Sequence, residues 1–112
     1  MNFPTIQFKA LSDKTRFRIV YILKQSNLEI CECDLAEILD TPYYSISRHL
    51  TILHNAGIIE KRKEGRWIFA FISKSLDTYI QKTLDAFIYI QEDTININIK
   101  KAIKTVNNNV CK

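Results

Sequence analysis

Two cysteines separated by a single residue, Cys31 and Cys33, are the reactive pair of this sequence, and a third, Cys111, stands far downstream. Thiolates prefer soft ions, so the pair points away from magnesium and calcium. It points towards arsenite, antimonite, cadmium, lead, mercury, copper(I) or zinc. Trivalent arsenic binds pyramidally through three sulfurs, which makes Cys111, from its own chain or from a partner subunit, the candidate third ligand. A Cys₄ zinc site within one chain is excluded by the count of three cysteines. The spacing adds a constraint. In a helix, residues two apart point about 200° from each other, whereas in extended chain they share a side. One small ion can therefore hold Cys31 and Cys33 only if the helix start is unwound or strained.

The elements around the pair read as helices. Pro4 suits the first turn of a short helix that reaches Ala10. Ser12 is the expected N-cap of the next, with Asp13 in its first turn and Phe17, Ile19, Val20, Tyr21 and Leu23 supplying its apolar residues. Arg16 and Arg18 are expected in solvent. Leu35, Ile38 and Leu39 form the inward face of a helix of about two turns, which Asp40-Thr41-Pro42 ends. A second helix follows from Tyr43 to Asn55, with Ile46, Leu50 and Leu53 inward and Gly57 as its left-handed cap. Two helices joined this closely make a helix-turn-helix, whose second member reads the major groove.

Ile58 to Ile72 is a β-hairpin turning at Lys63-Glu64-Gly65, and a basic hairpin after a reading helix is a wing. The DNA-facing candidates are therefore Tyr43, Tyr44, Ser45, Ser47, Arg48, His49 and Thr51 on the helix, with Arg62, Lys63 and Arg66 in the wing. Arg48 is the best guanine contact. His49 borders the apolar stripe, so a hydrogen-bonded, partly buried role stands beside the DNA contact; His54 has no assigned role. Ser73 or Ser75 can cap a terminal helix carrying Leu76, Tyr79, Ile80, Thr83, Leu84, Phe87 and Ile88. That stripe is read as the interface of a homodimer, the alternative being that it only closes the core. The fold expected is mostly α with a small β-hairpin, a winged helix-turn-helix over residues 1–92. Residues 93–112 form an extension of strand-like alternation, a short helix and a frayed tail carrying Cys111.

Composition narrows the class. At 46% hydrophobic and 25% charged the 112-residue chain folds rather than staying disordered. No apolar run approaches a membrane span, and the N-terminus lacks a secretory layout, so the expected place is the cytoplasm. Charge is divided. Five acids (Glu29, Glu32, Asp34, Glu37, Asp40) surround the cysteines without a base, while Arg48, Lys61, Arg62, Lys63 and Arg66 follow against Glu60 and Glu64. This suits a cationic ligand beside a polyanionic partner.

The segments LSDKTRFRIVYIL, EICECDLAEIL and SISRHLTILHNAGIIEKRKEGRW resemble the ArsR/SmtB family of winged-helix repressors, over roughly residues 5 to 90. The C-x-C-D-L-A box is similar to that of its arsenic- and cadmium/lead-sensing branch. The resemblance implies a dimer on double-stranded operator DNA that is released when the ion binds. Members with this box carry a third cysteine three residues after the second, where this chain has Ala36. The family's other zinc site, on the terminal helix, needs Asp and His residues. Asp85 can fill one slot, but both histidines lie in the reading helix, so that site is expected to be absent.

The leading reading is a repressor with no permanent cofactor that senses arsenite or antimonite first, then cadmium or lead. The alternative keeps the DNA binding and makes the cysteines a redox or persulfide switch. An enzyme using C-x-C as a redox pair is disfavoured by the lack of a βαβ pattern, of C-x-x-C, and of a histidine near the thiols. A winged helix serving only protein contacts would show no gel shift.

Overall fold

The computed structural model describes residues 4–86 together with 100, 101 and 104. Helix α1 (Pro4–Leu11) leads into α2 (Lys14–Ser26), whose N-cap is Asp13 and not Ser12. The Asp13 carboxylate accepts from the amides of Thr15 (2.9 Å) and Arg16 (3.1 Å), two donors left open at any helix start. The Ser12 hydroxyl instead donates to the Lys9 carbonyl and closes α1. Ile19, Val20, Ile22 and Leu23 of α2 are buried in the main core. Asn27, in the left-handed region at φ 54°, ends the helix.

The chain then makes a two-residue strand, β1 (Ile30–Cys31), that the sequence pattern did not announce. Helix α3 (Glu32–Ile38) starts at once and stops in a Schellman turn: Asp40 donates to Glu37 O and Thr41 to Ala36 O. Asp40 takes the left-handed position usually given to glycine, at φ 50°. Pro42 opens α4 (Tyr43–Asn55), which buries Ile46, Leu50 and Leu53 as their spacing requires. Its end is a second Schellman turn, with Gly57 at φ 77°, Gly57 N–H to His54 O and Ile58 N–H to Leu53 O.

Strands β2 (Ile59–Glu64) and β3 (Trp67–Ile72) pair antiparallel in full register from Ile59↔Ile72 to Glu64↔Trp67. Lys63 and Glu64 therefore extend the strand, and the turn is the two residues Gly65-Arg66. Gly65, at φ 61°, holds the first loop position, where tight hairpins call for a positive φ. On its other edge β3 receives β1, with Ile30↔Ala70 and Cys31↔Phe69, so the sheet order is β1-β3-β2.

Helix α5 (Thr78–Ala86) begins after Asp77, whose carbonyl accepts from Ile80 and Gln81. Neither Ser73 nor Ser75 caps it; their hydroxyls lie 3.3 Å apart in the preceding turn. Leu76, Ile80 and Leu84, expected at a subunit interface, are buried in the chain's own core. Tyr79 packs against that core and donates to Gln7 Oε1 at 2.6 Å, while the Thr83 hydroxyl is bonded within its helix. Phe87 and Ile88 lie outside the described residues. The large apolar side chains that do face outward include Ile6 and Phe8 on α1.

A left-handed aspartate is strained by its Cβ, so Asp40→Gly should raise stability by up to about 1 kcal/mol. The check is the urea unfolding midpoint, and a lower midpoint would contradict this account of the turn.

Candidate ion site and DNA-reading surface

Cys31 ends β1 and is the N-cap residue of α3, with extended backbone at φ −65° and ψ 145°. Cys33 is the second residue of the helix. One cysteine before the helix and one within it bring the sulfurs together without unwinding any turn, which corrects the expectation of a strained helix start. The two sulfurs stand 2.9 Å apart. Cys31 is buried with Phe69, and Cys33 and Trp67 pack against that pair in a small cluster separate from the main core.

Burial pushes the Cys31 thiol above its ordinary pKa, and the charges of Asp34 and Glu32 push the same way. The amides of Cys33 and Asp34, at the open first turn of α3, oppose them. Of the five acids around the cysteines, Glu32 and Asp34 are buried, so part of the acidic run lines this site and does not simply face water. Burial, with Glu37 nearby, raises the Asp34 carboxyl, and Glu32 Oε2 has no hydrogen-bond partner among the described residues.

Cys33 is disulfide-bonded in this structure; once it is reduced, Cys31 and Cys33 offer two soft sulfur donors suited to a thiophilic cation, with the Glu32 and Asp34 carboxylates nearby. This donor set is incomplete in the described residues, where no three His, Cys, Asp or Glu side chains converge as ligands. Cys111 lies outside the described residues. A tetrahedral ion with metal–sulfur bonds of about 2.3 Å sets its sulfurs about 3.8 Å apart. The pair would have to open slightly to hold one.

The reading helix shows Tyr43 (53% exposed), Tyr44 (71%), Arg48 and Thr51 to solvent, with Ser45 and Ser47 half-buried. The Thr51 hydroxyl donates to Ser47 O. Burial first, then the charges of Glu32 and Cys31, raise the Tyr43 pKa, which puts the first residue of α4 in the electrostatic field of the cysteine site.

His49 faces inward. Its Nδ1 is 3.2 Å from Arg16 Nη1 and 3.9 Å from Asp13, while Arg16 Nε donates to Ala10 O at 2.6 Å. This matches the hydrogen-bonded reading of His49. It also corrects the expectation for Arg16, which pins α1, α2 and α4 together; Arg18 is likewise half-buried. His54 is exposed on the last turn.

In the wing Arg62, Lys63 and Arg66 are all exposed. Arg62 is engaged, however, by Glu29 (2.7 Å) and Glu64 (2.9 Å), and its guanidinium lies 4.7 Å from the centre of the Phe69 ring. Arg66 lies over Trp67 at 4.8 Å. The sequence reading missed Phe69 and Trp67 as neighbours of the cysteines. Their signal was the alternation of Trp67, Phe69 and Phe71 along β3, which puts these rings on one face. Asp85 is paired with Lys24 at 3.2 Å.

A helix-turn-helix followed by a basic two-stranded wing defines a winged-helix DNA-binding protein. The pattern of bacterial regulatory proteins of the arsR family matches residues 13–61. Over 82 residues the chain is 38% identical to the arsenical resistance operon repressor of Escherichia coli, covering 73% of this chain and 69% of that one. Over 86 residues it is 37% identical to the CadC homolog of Staphylococcus aureus, a cadmium resistance transcriptional regulatory protein, covering 76% and 68%. The fold is that of reduced HlyU from Vibrio cholerae, with a TM-score of 0.66 over 78% of this chain and 88% of that one, at 24% identity. The chain belongs to the arsR family of transcriptional regulators and is not an enzyme. Among the described residues no helix is long and apolar enough to cross a membrane.

Burial, with Arg16 and Arg48 nearby, lowers the His49 pKa below 6.5, while Asp13 pulls it up. The unfolded chain then takes up a proton first as pH falls, so this contribution to stability is complete above the ordinary histidine range. It declines as pH drops through that range. His49→Gln should flatten the loss of thermal stability between about pH 7.5 and pH 5.5. Equal slopes for both proteins would refute it.

Proposed function

We propose that this chain is an operator-binding repressor released when a thiophilic ion binds Cys31 and Cys33. The observation that carries the reading is the meeting of the two sulfurs, 2.9 Å apart, at the first turn of the helix that braces the reading helix. The relatives named for arsenical and cadmium resistance support an ion of that kind. Arsenite and antimonite come first and cadmium or lead next, with Cys111 of either subunit as the third sulfur. The working unit is a cytoplasmic homodimer, which places two reading helices on successive half-sites.

The residues divide the work. Cys31 and Cys33 hold the ion, and the Glu32 and Asp34 carboxylates attract it and balance its charge. The Cys31 proton must leave for its sulfur to bind. Opening the pair displaces the start of α3, and the Schellman turn at Asp40 passes that displacement to Tyr43 and the rest of α4. Ion and operator then weaken each other by one common factor.

The disulfide-bonded state of Cys33 supports a second reading, a thiol switch. In that case Cys31 or Cys33, together with Cys111, gives two electrons and two protons to an oxidant such as a peroxide and the two sulfurs join as a disulfide. Intact mass separates the readings, because oxidation removes two hydrogens whereas ion loading adds the mass of the ion.

Arsenite, antimonite, cadmium or lead added to the reduced protein should lower operator affinity at least about tenfold. Cys31→Ser and Cys33→Ser should bind operator and resist release. Fluorescence anisotropy on labelled duplex measures both, and an ion-insensitive wild type ends the proposal. Lys63→Ala and Arg66→Ala should each weaken operator binding and reduce the slope of log affinity against log salt by about 1. Unchanged slopes would remove the wing from the DNA contact.

A further inference from the structure

Cys31, Phe69 and Arg62 occupy one row across the three strands, since Phe69 is the register partner of Cys31 on one side and of Arg62 on the other. Directly opposed residues share a sheet face. This face is not the one that carries Ile30 and Ala70 into the main core. On it Phe69 and Cys31 bury each other, and Trp67 and Cys33 pack at the edge. The two rings of this cluster, Phe69 beside Cys31 and Trp67 at its edge, are also the two on which wing arginines rest, Arg62 over Phe69 at 4.7 Å and Arg66 over Trp67 at 4.8 Å. Arg62 has a second tie to the same region, through Glu29, two residues before Cys31.

We propose that Phe69 and Trp67 are positioning residues that make the placement of Arg62 and Arg66 depend on what occupies the cysteine pair. The inference rests on the ion-site reading above and adds a second route out of that site, through the sheet to the wing. An ion that sets its sulfurs about 3.8 Å apart must widen a 2.9 Å pair. Phe69 is 4% exposed and Cys31 2%, so any shift of the Cys31 sulfur presses on the Phe69 ring, whereas Cys33 is half-buried. The rings move in response. A guanidinium is attracted to the face of a ring, so a tilted or displaced ring no longer holds it at the same height and angle. Glu29 shifts with the Cys31 segment and draws Arg62 with it. The wing then presents two fewer well-placed positive charges to phosphate.

The test uses the reduced full-length protein, cadmium as the probe, and the salt dependence of operator binding as the readout. In the wild type, cadmium should lower the salt slope by about 2, one unit for each arginine withdrawn. Phe69→Leu keeps a buried apolar side chain but has no ring face. It should bind cadmium within about twofold of wild type by its cadmium–thiolate absorption, while the cadmium-induced slope change falls to about 1 or less. Trp67 is the sole tryptophan, so its emission in the wild type should change in step with the thiolate absorption, whether or not Phe69→Leu folds. An unchanged slope in the cadmium-loaded wild type, or tryptophan emission indifferent to cadmium, overturns the proposal. So does a wild-type slope change in folded Phe69→Leu. Absence of any cadmium–thiolate absorption in the wild type overturns the ion site itself, and this inference with it.

Discussion

The ion response proposed for this molecule hangs on one backbone event, the passage from strand to helix between Cys31 and Glu32. Pairing with β3 holds Cys31 extended, and the helix begins one residue later. Had the helix started two residues earlier, the side chains would diverge by more than half a turn and no single ion could join them. The two-residue strand, negligible as a source of stability, therefore does the geometric work of building the site. The same pairing buries Cys31 against Phe69, which raises the cost of ionising its thiol and sets a closely packed partner against any change at the sulfurs.

Around that junction the charges are arranged with some economy. Glu32 and Asp34 are drawn inside with the sulfurs, while Glu29 and Glu64 are spent on Arg62. The basic residues of the wing are thus unequal. Arg62 is held within the protein's own network, whereas Lys63 and Arg66 stand at the hairpin's end. The reading helix is likewise fixed on its inner side by the Arg16–His49 contact, which links it to the first two helices.

Much of this was legible in the sequence. Ile46, Leu50 and Leu53 at helical spacing, Gly57 beyond them, and Pro42 before them fixed α4 to the residue, because local propensity and burial agree there. Strand β1 was not legible, since two residues carry no period and their pairing depends on a partner nearly forty positions away. The N-caps at Asp13 and Asp77 were displaced from the serines expected, because several adjacent residues can serve and tertiary packing chooses among them. Leu76, Ile80 and Leu84 were read as a dimer interface because an apolar face alone does not say what covers it; here the chain's own core does. The cysteine pair was evident from its spacing, but the rings beneath it were hidden by distance along the chain.

Helix α3 has only seven residues, a rod of about 10 Å fastened at both ends. Its front is stitched to the sheet and its rear is locked by the left-handed turn at Asp40. So short a segment has no interior in which to dissipate a push by bending. Under the proposed function, the distance between detector and reader is a matter of one rigid spacer. The chemistry at its front can be altered, one donor exchanged for another, without rewriting the surface that recognises an operator. A chain built this way can acquire a taste for a new ion while keeping its old address on the genome.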